Sequence, residues 1–273
     1  MKHYVKTLTI AGSDSGGGAG IQADIKTMSA LGCYASSVVT AVTAQNTQQV
    51  YCIQNIEAKV VEAQLHAVLT DLRPDAIKIG MTGSAENMVS IAQTLSEARE
   101  IPLIIDPVMV ATSGNRLMDD GAIDTFTEHL LPIATLLTPN IPEAEALAGM
   151  RITSEADADK VAKAILNRGC RALLIKGGHL EGKTKSDRLY FADNREPMVF
   201  NAETIVSRNT HGTGCTLSSA ICAFTARGLP IEEAVARAKH YVSDAIRMGA
   251  DVETGSGHGA VNHFYNPEKL IKL

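Results

Sequence analysis

No two of the five cysteines, Cys33, Cys52, Cys170, Cys215 and Cys222, stand at CxxC spacing, and their number is odd. That argues against a disulfide framework and against a zinc site, and a reducing compartment is the expectation. No apolar run approaches the ~20 residues a membrane span needs, and after Lys6 the chain enters a short strand-like segment rather than a signal-peptide core. The expected location is the cytoplasm. Excess basic charge is missing too. With 25 Lys+Arg against 30 Asp+Glu the net charge is −5, which argues against nucleic acid or an anionic membrane as partner. Nor is there a linker, a low-complexity tract or a repeat of fixed period. What remains is 273 residues, 45% hydrophobic and 20% charged. Such a chain is expected to form one soluble domain that handles a small molecule.

Hydrophobic periodicity then switches back and forth. Val5 to Ala11, Val38 to Ala44, Ala76 to Ile79, Leu103 to Ile105, Ala134 to Leu137 and Ala172 to Ile175 read as strands. Ile21 to Leu31, Glu57 to Leu72, Ser84 to Ala98, Ser154 to Arg168, the run up to Arg227 and Ile231 to Met248 read as helices. Leu189 to Ala192 and Met198 to Phe200 suggest an antiparallel hairpin around Asp193-Asn194-Arg195. Strands alternating with helices predict an α/β fold with a central, mostly parallel sheet flanked by helices on both faces.

The chemistry-bearing residues fall where strands end or helices begin. Asn209 to Thr216 (NTHGTGCT) sets Gly212 and Gly214 around Thr213 at a loop-to-helix junction, where N–H groups converge on an anion. Cys215 lies in the first turn, where a thiol pKa is usually lowered. The plainer alternative is a tight turn and a small buried hydrophobe. Gly12 to Gly20 (GSDSGGGAG) follows the first strand and suggests close approach of a ligand. Yet GxGxxG fails in every frame, and the nearest approach to GxxxxGK[ST], Gly20 to Thr27, has Ile25 where glycine belongs. Neither a Rossmann dehydrogenase nor a P-loop NTPase is supported.

Asp24 on the following helix is either a solvated first-turn acid or a group facing the ligand. Gln45-Asn46-Thr47 either reads a polar heterocycle or forms a turn. Asp106 ends a buried strand and suits metal or phosphate chemistry. Asn140 and Glu143 have the spacing of a capping box. Lys176-Gly177-Gly178-His179 suits a nucleotide phosphate, or Gly177-Gly178 is only a turn.

Taken together, GSDSGGGAGIQAD (Gly12 to Asp24), Gln45-Asn46-Thr47, Lys78-Ile79-Gly80-Met81, Asp106-Pro107-Val108-Met109, Thr138 to Ala144, Lys176 to His179 and Asn209 to Thr216 closely resemble the hydroxymethylpyrimidine/phosphomethylpyrimidine kinases of thiamine biosynthesis, from about Leu8 to Phe264. The resemblance implies a three-layer ribokinase-like fold over residues 1–273. It also implies two ATP-dependent transfers, first to 4-amino-5-hydroxymethyl-2-methylpyrimidine and then to its monophosphate. Carried onto this chain, it implies a pyrimidine pocket of Gly12, Asp24, Gln45, Met81 and Val108. Asp106 and Glu143 are implied for Mg²⁺, and Asn140, Lys176, Gly177, Gly178, His179, Thr210, Gly212 and Thr213 for ATP. Gly212, Thr213 and Gly214 are implied as the anion hole, with Cys215 where sugar kinases carry an aspartate base. A homodimer is the expected assembly. The near alternative is a pyridoxal kinase of the same fold, and the distant one a nucleotide-binding module without catalysis.

Overall fold

The computed structural model describes residues 2–109, 120–177 and 184–273. Nine strands form one sheet. β1 (Lys6–Asp14) and β2 (Tyr34–Gln45) are parallel, and β4 (Ala76–Ile79), β5 (Leu103–Ile105), β6 (Leu136–Leu137) and β7 (Ala172–Ile175) continue the parallel run on the other side of β1. β3 (Val50–Asn55) pairs antiparallel with β2 at one edge, and β8 (Thr184–Phe191) and β9 (Met198–Glu203) extend the other edge antiparallel. The spatial order is β3-β2-β1-β4-β5-β6-β7-β8-β9. The mostly parallel α/β sheet is the one the alternating pattern predicts.

Strand parity divides the core into two layers, because neighbouring residues of a strand point to opposite faces. Ile77, Ile79, Leu103, Ile105, Leu137, Leu173 and Ile175 join one apolar cluster, packed with α2 (Ala58–Asp71), α3 (Ala85–Leu95), α5 (Ile141–Ala148) and α6 (Glu155–Leu166). Ala76, Ile104, Leu136, Ala172 and Leu174 join the other, with α1 (Gly20–Ala30), α7 (Thr213–Ala226) and α8 (Ile231–Arg247). Both faces of each central strand are covered, which is why β5, β6 and β7 read as unbroken apolar runs and β4 is broken only by Lys78.

Two elements escape sequence reading. β3 is exposed along nearly its whole length and so has no buried face to create a period. α4 (Asp120–Thr125) is short and runs directly into an irregular helical stretch, so no clean 3.6-residue period develops there. The order of connections matters more for function. From β1 the chain passes outward to β2 and then returns to β4 on the opposite side, so the strand order reverses at β1. In open α/β sheets the crevice at the C-terminal ends of the strands flanking such a reversal is where ligands bind.

Candidate active site

A cavity of about 950 Å³ opens at that crevice. On its β1/β2 side stand Gly12, Gln45, Met81 and Val108. Gly12 is packed so closely that an added Cβ would lie 3.1 Å from Met81 Sδ. The Gln45 amide is held at its oxygen, to which Thr43 Oγ1 donates at 3.2 Å, and its Nε2 lies 3.3 Å from His211 Nε2. His211 in turn sits 3.1 Å from Asp14 Oδ2, and Asp14 accepts from the N–H groups of Gly16, Gly18 and Ala19 at 2.8 to 3.0 Å. These partners, the His211 imidazole among them, hold the Asp14 carboxyl below its ordinary range, against the burial that would raise it. The glycine-rich run after β1 thus serves a loop contact. At the N-cap Gly212, φ is +78° and an added Cβ would lie 1.8 Å from Gly18 O, so only glycine fits where the two loops meet.

Opposite stands the charged half. Asp106 leaves β5, Lys176 leaves β7, and Asn140 and Glu143 begin α5. Lys176 Nζ donates to Asp106 Oδ1 at 2.7 Å. Thr138 Oγ1 donates to the same oxygen at 3.3 Å, and Ser218 Oγ reaches Oδ2 at 3.5 Å. The capping box forms: Glu143 N donates to Asn140 Oδ1 at 2.9 Å and Asn140 N to Glu143 Oε2 at 2.8 Å. Both side chains nevertheless border the cavity, so capping and ligand contact do not compete for position. Burial first, and then the Asp106 charge, push the Glu143 carboxyl up to about 7, against the pull of Lys176. Asp106 and Glu143 hold Lys176 protonated above its usual range despite burial.

Between the halves lies the start of α7. Thr210, Gly212, Thr213, Gly214 and Cys215 all border the cavity. Thr213 N and Thr216 N are bonded to Thr210 O and Gly212 O, whereas the N–H groups of Gly214 and Cys215 meet no backbone acceptor among the described residues. Two donors at a helix N-terminus therefore face the cavity above Lys176, whose Nζ would be 3.5 Å from a Cβ on Gly214.

Three expectations need correction or limits. Asp24 does not border the cavity; it is fully buried, salt-bridged to Lys78 Nζ at 2.8 Å, because parity turns Lys78 toward α1. The Cys215 thiol is not lowered: burial pushes it up to about 11, outweighing the favourable Lys78 charge, with Asp24 and Asp106 adding to the rise. Gly177 is off the cavity wall, its N–H donating to Asp187 Oδ1 at 2.9 Å, and Gly178 and His179 lie outside the described residues.

The structure adds residues to which the motifs assigned no role. Lys239 on α8 borders the cavity and donates to Asp187 Oδ2 at 2.5 Å. Its sequence signal is an ordinary polar position on an amphipathic helix. Lys78 carried a signal that could have been read, a lysine inside a buried strand.

A magnesium ion usually keeps several waters and takes one or two carboxylates plus substrate phosphates. Asp106 and Glu143 match that donor set, and burial, then the Asp106 charge, raise the Glu143 carboxyl, a cost of ionisation that a dication would offset. No cluster of three or more acidic, histidine or cysteine side chains able to cage a metal exists among the described residues.

The sheet, the crevice at its reversal point and the helix terminus over a lysine and two carboxylates define a kinase of ribokinase-like architecture. The sequence model of phosphomethylpyrimidine kinase matches residues 14–262. Two curated relatives agree with it. A hydroxymethylpyrimidine/phosphomethylpyrimidine kinase of Rhizobium meliloti is 48% identical over 94% of this chain and 96% of its own. A thiamine biosynthesis bifunctional protein of Geobacter sulfurreducens is 49% identical over 96% of this chain, which spans only 53% of that longer protein. Among solved structures, a phosphomethylpyrimidine kinase from Clostridium difficile is 42% identical with a TM-score of 0.79, covering 89% of this chain and 99% of its own. A pyridoxal kinase from Staphylococcus aureus in complex with AMP-PCP and pyridoxal is 33% identical with a TM-score of 0.86, covering 98% of this chain and 96% of its own. The chain belongs to the phosphomethylpyrimidine kinase family.

Proposed function

We propose that this kinase transfers phosphate from ATP to the hydroxymethyl group of 4-amino-5-hydroxymethyl-2-methylpyrimidine and then to the resulting monophosphate, in thiamine biosynthesis. The observation that carries the reading is that one cavity joins an amide-bearing apolar end, at Gln45, Met81 and Val108, to a charged end at Asp106, Glu143 and Lys176, with Cys215 and the free N–H groups of α7 between them. Phosphoryl transfer depends on in-line positioning and charge stabilisation more than on covalent chemistry. Gln45 would pair with the polar edge of the ring, its amide oxygen bonded by Thr43 Oγ1. The N–H groups of Gly214 and Cys215 would take the transferring phosphate, one such donor being worth about 10²–10³ in rate. Lys176 would meet the triphosphate, and Asn140, Thr210, Gly212 and Thr213 would complete its surroundings. Asp106 and Glu143 would hold Mg²⁺, which when bound neutralises phosphate charge. Cys215 would accept the hydroxyl proton.

A second reading is kept, phosphorylation of pyridoxal, because a close structural neighbour is a pyridoxal kinase in complex with pyridoxal. Product analysis by mass, with the pyrimidine alcohol, ATP and Mg²⁺ and with pyridoxal as competitor, tests both readings. A single and then a double phosphate addition to the pyrimidine is expected; turnover of pyridoxal alone overturns the first reading, and no ATP turnover with either alcohol overturns both. We further propose residues 1–273 as one domain, working in the cytoplasm as a homodimer. Two core layers on a single sheet support the first part, and the second is consistent with the finding that none of the described helices is long and apolar enough to cross a membrane.

A further inference from the structure

The sheet face beneath α1 and α7 is apolar at Ala76, Ile104, Leu136 and Leu174, yet Lys78 stands on it with no exposed surface. Its ammonium donates to Asp24 Oδ1 at 3.0 Å and Oδ2 at 2.8 Å, and Asp24 also accepts from Thr9 Oγ1 and Ser219 Oγ, each at 2.6 Å. A buried ion pair rarely stabilises a fold more than apolar residues of the same size, so packing gives no reason for a cation here. Its direction does. An added Cβ on Gly80 would lie 2.7 Å from Lys78 Nζ, so the side chain reaches forward along β4 to the sheet edge; it borders the cavity that Cys215 also borders, and its Asp24 partner is bonded to Ser219, one helical turn beyond Cys215 on the same face of α7. Asp24 is saturated by four hydrogen bonds, while the three-donor ammonium gives hydrogen bonds to no other residue among those described.

We propose that Lys78 is the counter-ion of Cys215, a positioning residue whose ammonium, fixed by Asp24, carries the thiolate that receives the substrate's proton. The inference rests on the reading of Cys215 as proton acceptor. The other charged groups around the thiol are Asp24 on α1, Asp106 after β5 and Lys176 after β7. The carboxylates oppose ionisation, and Lys176 is already committed to Asp106 at 2.7 Å. Burial and the two carboxylates keep the thiol largely protonated, and the Lys78 charge, with the Gly20 N–H, works against them. In the cycle, the thiol loses its proton to solvent, leaving a thiolate beside the ammonium. The substrate hydroxyl then gives its proton to the sulfur while its oxygen bonds to the γ-phosphorus, and the phosphorus–oxygen bond to ADP breaks with its electron pair leaving on ADP.

The test is site-resolved alkylation of Cys215 by iodoacetamide in the ligand-free full chain, followed by peptide mass from pH 7 to 10. A Cys52→Ser background removes the exposed thiol; Cys33, Cys170 and Cys222 are buried. Asp24→Asn frees the ammonium from its carboxylate and is expected to speed alkylation. Lys78→Met combined with Asp24→Asn replaces the pair by neutral groups of similar size and is expected to slow alkylation about tenfold, the equivalent of one pH unit. Opposite directions are what a merely structural pair cannot produce. Where Asp24→Asn alone does not fold, the neutral double variant decides. Rates within twofold of the parent, or both variants moving the same way, overturn the proposal. The pH profile of kcat separates it from the reading beneath: shifted alkylation with an unshifted profile leaves Lys78 as counter-ion and removes Cys215 from proton transfer, whereas a lost kcat with unchanged alkylation overturns the counter-ion alone.

Discussion

The Lys176 ammonium lies 2.7 Å from Asp106 Oδ1, its side chain 14% exposed and that of Asp106 4%, directly below the N–H groups that open α7. Three separate segments of chain meet there, the ends of β5 and β7 and the start of α7, and the pair is the hinge of the charged half of the cavity. Breaking a buried pair by removing one charge strands the other. Asp106→Asn should therefore lower stability by about 3 kcal/mol, the low end for such a loss because Glu143 remains near Lys176. Urea unfolding checks it, and a change below about 1 kcal/mol, the range of an exposed pair, would mean that the two groups are solvated rather than paired.

Cys215→Ala should lower kcat by about 10²–10⁴, the usual worth of a general base, with the ATP dissociation constant moving only a few-fold. Cys215→Asp should keep more activity than the alanine variant, since a carboxylate can accept the same proton. Steady-state rates with nucleotide titration decide it. Near wild-type turnover in Cys215→Ala would reduce the thiol to a packing residue.

Gln45→Leu should raise the KM for the pyrimidine far more than that for ATP, by an amount equivalent to about 1–3 kcal/mol for a polar group left unpaired in a desolvated pocket. His211 lies against the same amide and ties it to the Asp14 loop, so His211→Ala should move KM in the same direction. Equal changes in both KM values would take Gln45 out of the pyrimidine end.

Glu143 gives the ligand-free protein a recognisable pH dependence. Burial, then Asp106, raise its carboxyl from 4.5 to about 7. Between those values the folded state holds a proton that the unfolded chain has lost, so this group's contribution to stability falls as pH rises through the window. Glu143→Gln removes the slope, and the stability difference, wild type minus variant, should decline by up to about 3 kcal/mol from pH 4.5 to 7. His263 has the opposite sign. Burial, then Lys26 and His211, lower it to about 4, so it stays neutral when folded and its contribution is lost as pH falls from 6.5 to 4. Comparing variant with wild type at each pH cancels that part, and a flat difference would show that Glu143 titrates normally.

Much of this was legible in the chain. The runs from Ala76 to Ile79, apolar but for Lys78, and from Ala172 to Ile175 gave their strands to the residue, because burial on both faces leaves composition as the main signal. Asn140 and Glu143 announced α5 through local hydrogen bonds that span only three residues. Gly212 marked the helix terminus because its positive φ and the close approach of Gly18 O leave no other choice of residue, whereas a Cβ on Gly214 would make only ordinary contacts.

What local pattern cannot carry is the direction in which a side chain meets a distant one. Residue types and spacing alone determined the α/β alternation, the strand-end placement of Asp106 and Lys176 and the family to which the chain belongs. Tertiary structure decided that Asp24 turns inward to Lys78, 54 residues away, rather than toward a ligand, and that Asp14 is tied to His211 across 197 residues. It also decided that the Cys215 thiol is raised rather than lowered. A helix terminus is a local feature with a modest field, whereas desolvation sums over every element packed around the sulfur, and those elements come together only when the sheet is complete.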